Sequence, residues 1–157
     1  MESVRAARPD DLATIVPLVD AFVDEQRSQR GGAIWAARSA PTLTPEALAR
    51  AIDDPGQFVS LGCIDDHVAG VCVGAFEQLD ETRRIAVVRC LYVQPGCREV
   101  GVGSALLDDV IERATEAGCV GVDATVLPGD RRAKNFFEMH GLVARAIDVH
   151  RPVGEGS

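Results

Sequence analysis

Histidine, tyrosine and tryptophan are scarce here, at three, one and one in 157 residues. The histidines (His67, His140, His150) are scattered and form no H-x-x-x-H pair, so no metal site is expected. Tyr92, the sole tyrosine, is the one phenol available for proton chemistry. Cysteine lacks pattern rather than number: Cys63, Cys72, Cys90, Cys97 and Cys119 make an odd count with no C-x-x-C. Four of them lie in or beside apolar strand-like runs, which predicts free thiols in a reducing compartment. No apolar run approaches the ~20 residues a bilayer span needs. The opening MESVRAARPDD has no apolar signal-peptide core, so the expectation is a cytoplasmic protein with no membrane partner. Positive charge is also short, with 16 Lys and Arg against 24 Asp and Glu. A net charge of −8 argues against a nucleic-acid partner. It leaves room for a local basic patch, for which Arg98, Arg131, Arg132 and Lys134 are the candidates.

The chain has the length of one domain, without repeats or an interdomain linker; we assign residues 1–152 to it and 153–157 to a tail. Residues 3–7 read as a short strand. Asp10 is the expected cap of a helix that reaches about Arg27 on Leu12, Ile15, Val16, Val19, Phe22 and Val23. Pro17 should kink or divide it. Residues 33–42, with Trp35 and Arg38, show no regular pattern and read as a loop. Thr44-Pro45 starts a helix to Asp53. Strands follow at 58–64, 68–77 and 84–93, the last apolar enough to be covered on both faces. A helix is expected over 103–117, a strand over 119–127, a helix over 131–139 capped by Asp130, and a last strand over 142–149. The result is a mixed α/β fold: a mostly antiparallel sheet, helices on both faces, and a central βαβ unit over 84–127.

The stretch 91–107, LYVQPGCREVGVGSALL, is the most informative in the chain. Gly101 and Gly103 at the mouth of a helix leave backbone N–H groups uncovered, and the helix dipole adds to their attraction for a pyrophosphate. A dinucleotide fingerprint would need a third glycine where Leu106 stands, and an antiparallel meander precedes it. Instead, Leu91-Tyr92-Val93-Gln94-Pro95 followed by Arg98-Glu99-Val100-Gly101-Val102-Gly103 resembles the acyl-CoA signature R/Q-x-x-G-x-G/A of the GNAT acetyltransferase superfamily. About thirty residues on, Asp130-Arg131-Arg132-Ala133-Lys134-Asn135-Phe136-Phe137-Glu138-Met139-His140-Gly141-Leu142 is similar to that family's N-x-x-A-x-x-F-Y-E-K-x-G-F segment.

The resemblance implies acetyl-CoA as co-substrate and an amine as acceptor. Amides from Arg98 through Glu99, Val100, Gly101 and Val102 to Gly103, with Ser104, would hold the pyrophosphate. The main chain of Leu91, Tyr92 and Val93 would pair with the pantetheine arm as if it were an added strand. A backbone N–H near Leu91 or Val93 would polarise the thioester carbonyl. Three departures from the family pattern bear on the chemistry. Phe137 replaces the tyrosine that commonly protonates the leaving thiolate; Tyr92 is a substitute or else a core residue. Asp130 stands where the family has asparagine and keeps the cap role, while Asn135 is the candidate to restore the amide contact. Val87 falls where some relatives carry a glutamate base. Removing a proton from an amine of pKa ~10 at pH 7 costs about 4 kcal/mol, so Glu77, Asp80 and Glu81 are candidates for a base acting through water, or else solvated hairpin charges. For the acceptor we single out Trp35 (lid or anchor), Arg38, and Arg89 (orienting an anionic substrate, or paired with an acid). Arg89 is expected on a strand face shared with Leu91 and Val93. The acidic balance favours a cationic acceptor. No cysteine has a base partner in sequence, so direct amine attack is expected. The alternatives are a non-catalytic acyl-CoA-binding domain, favoured by Phe137 and Val87, and an interaction module. The short run after Gly141 leaves a sheet edge in need of cover, which suggests a homodimer.

Overall fold

The computed structural model describes residues 1–154. Its elements are β1 (Glu2–Ala6), α1 (Leu12–Arg27), α2 (Gly32–Ser39), α3 (Pro45–Asp53), β2 (Gln57–Ile64), β3 (His67–Gln78), β4 (Arg84–Val93), α4 (Val102–Glu116), β5 (Val122–Ala124) and α5 (Arg131–Met139). The strands lie in the order β1-β2-β3-β4-β5, antiparallel except for the parallel β4–β5 pair. A right-handed crossover through a helix is the usual way to make such a parallel pair, and here α4 supplies the helix.

The sheet is covered on both faces. Ile15, Val19 and Val23 of α1 and Leu48 of α3 pack on Leu61, Val71, Val73, Cys90 and Tyr92. Val102, Leu106 and Val110 of α4 pack on Phe58, Cys72, Val88 and Val93 on the other face. Asp65 and Asp66 turn the β2–β3 hairpin at φ 47° and 74°, left-handed values that aspartate tolerates through its local hydrogen bonding.

Several expectations need correction. Asp10 does not cap α1: a 3-10 turn over Pro9–Asp11 precedes the helix, and there the Asp11 carboxylate takes the Arg8 N–H at 2.8 Å and two bonds from Arg5 at 2.8 Å each. Pro17 sits inside α1 without dividing it. Residues 32–39 form α2 rather than a loop, because Gly31, at φ 81°, supplies the left-handed turn that separates it from α1. The strand expected over 119–127 shrinks to Val122–Ala124. The Cys119 N–H is spent on the Ala114 carbonyl, and the chain leaves β4 after Ala124. Residues 142–149 form no strand: Val143, Ile147 and Val149 are exposed, and three residues of β5 offer too short a ladder to pair with. That segment is tethered instead by an Arg145–Asp123 ion pair.

Candidate functional site

The site is made by one extra residue in β4. Val88 pairs with Gly74 and Cys90 with Val73, so Arg89 is a β-bulge with no partner on β3. The bulge shifts the face alternation of everything after it. Cys90 and Tyr92 face the α1 side of the sheet, and Leu91 and Val93 the α4 side. Arg89 reaches Gln57 Oε1 at 3.1 Å, next to Val59 and Leu61 on the α1 side. It does not share a face with Leu91 and Val93 as the plain alternation predicts. On the other edge, pairing with β5 stops at Val88–Ala124, leaving β4 beyond that point without a strand neighbour. The Gln94 N–H turns toward β3, to the Ala69 carbonyl, so the Val93 and Leu91 main chain points into the opening.

A cavity of about 390 Å³ fills this opening and continues under α1 and α2. At one end lie Gly103 and Asp130, which caps α5 through the Ala133 N–H at 3.1 Å. Phe136 packs so closely on Gly103 that an added Cβ would stand 3.2 Å from its ring. Phe137 lines the wall and meets Phe136 edge-on, with ring centroids 5.3 Å apart. Gly101 precedes α4 at φ 85°, a conformation that glycine adopts without strain. Glu99 and Val100 in the loop are exposed, the Val102 side chain at the start of α4 is fully buried, and none of the three side chains lines the cavity. The Ser104 hydroxyl is engaged with His140 Nε2 at 3.0 Å. Asn135 is exposed on α5 and is not part of the cavity wall.

Arg98 is folded back into the opening. Its Nε donates to the Val93 carbonyl at 2.8 Å, its guanidinium lies 5.2 Å from the Tyr92 ring centroid, and it pairs with Glu25 at 3.0 Å. Glu25 also meets Arg132 of α5 at 3.6 Å, so α1, the loop and α5 are tied across the cavity. Burial, and then the Glu25 charge, raise the Tyr92 phenol above its ordinary pKa. Burial pushes the Cys90 thiol well up, so this wall residue stays a thiol.

At the other end the wall includes Trp35, Arg38, Glu77, Val87 and Arg89. Trp35 stands edge-on to Phe22, 5.6 Å between centroids, so it anchors α2 to the core and forms wall at once. Glu81 is exposed in the turn after β3, outside the wall. Asp80 is occupied in that turn by the Thr82 and Arg83 N–H groups at 2.9 and 2.8 Å. Sequence reasoning missed Glu25 and Gln26. Both read as ordinary positions on an amphipathic helix, yet both line the cavity, and buried Gln26 Oε1 has no hydrogen-bond partner among the described residues.

No helix among the described residues is long and apolar enough to cross a membrane. The model of the acetyltransferase (GNAT) family matches residues 19–142. No curated protein matches the chain in sequence. Among solved structures, a transcriptional regulator from Bacillus halodurans C-125 is similar at 21% identity and TM-score 0.73, over 98% of this chain and all (100%) of that one. An acetyltransferase from Trypanosoma brucei is similar at 19% identity and TM-score 0.68, over 98% and 100%. An aminoglycoside acetyltransferase from an uncultured soil metagenomic sample, in complex with sisomicin, is similar at 17% identity and TM-score 0.70, over 98% and 95%.

Proposed function

The chain belongs to the GNAT acetyltransferase family, and from that premise we propose that it moves an acetyl group from acetyl-CoA to an amine by direct attack. The observation that carries this reading is the parting of β4 from β5 after Val88, with a cavity running from there to the start of α4. The residues present fit the co-substrate: an extended arm finds unpaired main chain at Leu91 and Val93, and its phosphates find the amides of 98–104 under a glycine kept bare by Phe136. The hold that Arg98 has on the Val93 carbonyl shows that this carbonyl accepts a donor from the open side.

Acetyl-CoA supplies the activated acyl group as a thioester. The Leu91 N–H is placed to bind the thioester oxygen as charge grows on it. Glu77 is the base, acting through water. Ala75 pairs with Val87, and Glu77 is the next residue on the same face of β3, a diagonal of about 7–8 Å. The carboxylate that some relatives carry on β4 is thus replaced from the neighbouring strand. Tyr92, held protonated, is the phenol that remains to meet the departing thiolate now that Phe137 cannot. The raised Cys90 thiol supports attack by the amine itself rather than through an acyl-enzyme. Trp35, Arg38 and Arg89 face the acceptor.

Thiol release from acetyl-CoA across an amine panel tests the proposal. Phe137 and Val87 favour a second reading, an acyl-CoA-binding domain without turnover. Calorimetric binding of acetyl-CoA with no thiol release from any amine selects it. The five free cysteines support a cytoplasmic location. Exposed Val143, Ile147 and Val149, beside the short β5 edge, support a homodimer. A concentration-independent monomer mass in solution refutes the dimer.

A further inference from the structure

Beside the acceptor end lies a second cavity, of about 210 Å³, lined by Pro41, Thr42, Ala47, Arg50, Gln57 and Arg89. It shares Thr42 and Arg89 with the larger cavity, so the two meet at the bulge. Arg50 comes from α3 and Arg89 from β4, and Arg38 of α2 stands on the adjoining wall. In a chain with 24 carboxylates and 16 cations, a guanidinium has acids to choose from. Yet none of the ion pairs among the described residues includes Arg38, Arg50 or Arg89. Arg89 is half-buried and uses one N–H, toward Gln57, of the five a guanidinium carries. Glu77, at the other side of the same wall, takes part in none of those ion pairs either. The acceptor end therefore carries a carboxylate toward β3 and guanidiniums toward α3.

We propose that Arg89 and Arg50, with Gln57 and Thr42, form an anion subsite, and that the acceptor is a small amine carrying a carboxylate or phosphate. This inference rests on the acetyl-transfer reading above for its amine and stands apart from it for its anion. The anion lies in the second cavity, and the amine lies near Glu77 and the Leu91 amide. Arg89 and Leu91 are two residues apart in β4, roughly 7 Å at the rise of a strand. The amine and the anion are accordingly a few bonds apart, as in a compact zwitterion. A polycation would meet three guanidiniums that lack counter-ions, so an aminoglycoside is a poor acceptor.

Two measurements test this. Thermal melts are run with inorganic phosphate or succinate against chloride at equal ionic strength, on the wild type and on Arg89→Gln and Arg50→Gln. A rise with phosphate, succinate or both, lost in each variant, supports the subsite, and the active probe identifies the anion. No rise beyond chloride with either probe overturns it. Initial rates are then compared within matched pairs, phosphoethanolamine against ethanolamine and β-alanine against its amide, with sisomicin as the polycation. The anionic member of at least one pair is expected to lead in kcat/KM by about tenfold or more, with that ratio falling toward one in Arg89→Gln. Faster neutral or cationic acceptors, with ratios unmoved by Arg89→Gln, overturn the inference while leaving acetyl transfer intact. Failure of acetyl-CoA to bind the wild type, measured separately by calorimetry, sinks the transfer reading, and the melts still decide the anion subsite.

Discussion

Replacing Gly103 by alanine should separate stability from cofactor affinity. The new methyl would stand 3.2 and 3.4 Å from two Phe136 ring atoms and 3.7 Å from Val93 Cγ2. It would therefore fill the neck between the strand that takes the arm and the amides that take the phosphates. Within α4 the exchange gains up to about 1 kcal/mol of helix propensity. The tight contact with a half-exposed ring offsets much of that gain. The net effect on the melting midpoint is expected within about 4 °C. Affinity should behave otherwise. Losing one charge-assisted bond between an amide and a phosphate costs about 1.5–3 kcal/mol, so KM for acetyl-CoA should rise roughly tenfold to a hundredfold. The kcat at saturation should hold, because no reacting atom lies there. Steady-state kinetics beside a thermal melt reads both quantities. An unchanged KM with an unchanged melt would mean that the phosphates do not pass Gly103, and the placement of the co-substrate would be wrong.

Other changes probe the remaining parts. Phe137→Tyr should raise kcat by about threefold to tenfold near neutral pH, with the gain fading above pH ~8.5, where a thiolate leaves unaided; a gain that persists at higher pH would argue against an acid role. Glu77→Gln should lower kcat/KM by about tenfold to a hundredfold at neutral pH and less as pH nears ~10, where the amine is already deprotonated; a pH-independent loss would mark Glu77 as a binding group only. Glu25→Gln should lower KM for acetyl-CoA by up to about fivefold, since a partly exposed ion pair of at most about 1 kcal/mol no longer holds Arg98 over the Val93 carbonyl; a raised KM would show that Glu25 helps binding. Asp11→Asn should cost roughly 1.5–3 kcal/mol of stability. The Arg5 guanidinium and the Arg8 N–H hold the Asp11 carboxyl well below its usual range, so that stabilisation is complete above pH ~4 and fades as pH falls further. Denaturant melts of the two proteins should differ by a constant amount between pH 5 and 8 and converge toward acid; a gap that widens in acid would refute the assignment.

The parts legible in sequence were those set by local rules. β4 and α5 occupy the expected residues because an apolar run broken only by Arg89 and the Asp130 cap leave little choice. Thr44 and Pro45 mark the start of α3 through side-chain and ring chemistry alone, with the Thr44 hydroxyl taking the Ala47 N–H at 3.2 Å. α2 was hidden because its apolar residues, Ala33 to Ala37, run consecutively in a helix of about two turns and show no helical period, and only the left-handed turn at Gly31 releases it. The strand expected after α5 had composition in its favour and failed for want of a neighbour, which no local pattern reports. In the site, the glycine-bearing turn was readable from its residue types. Glu25, Gln26 and Arg50 were not, since each becomes part of a wall only when three separate helices and strands converge. The face of Arg89 was misjudged because a strand's parity survives only as long as its ladder stays in step.

That lost step acts as a hinge of purpose within a single strand. Before it, β4 closes the sheet against β5; after it, the same backbone turns its free hydrogen-bonding groups outward while keeping its apolar side chains in both cores. Excising Arg89 alone would remove the bulge and its guanidinium yet leave Leu91 and Val93 on the α4 layer, because Val88, Cys90, Leu91, Tyr92 and Val93 then alternate with the same β3 partners in unbroken register. The same deletion would take the local bend out of β4 where it parts from β5, so strand length here bears on the opening through the course of the strand and not through its parity.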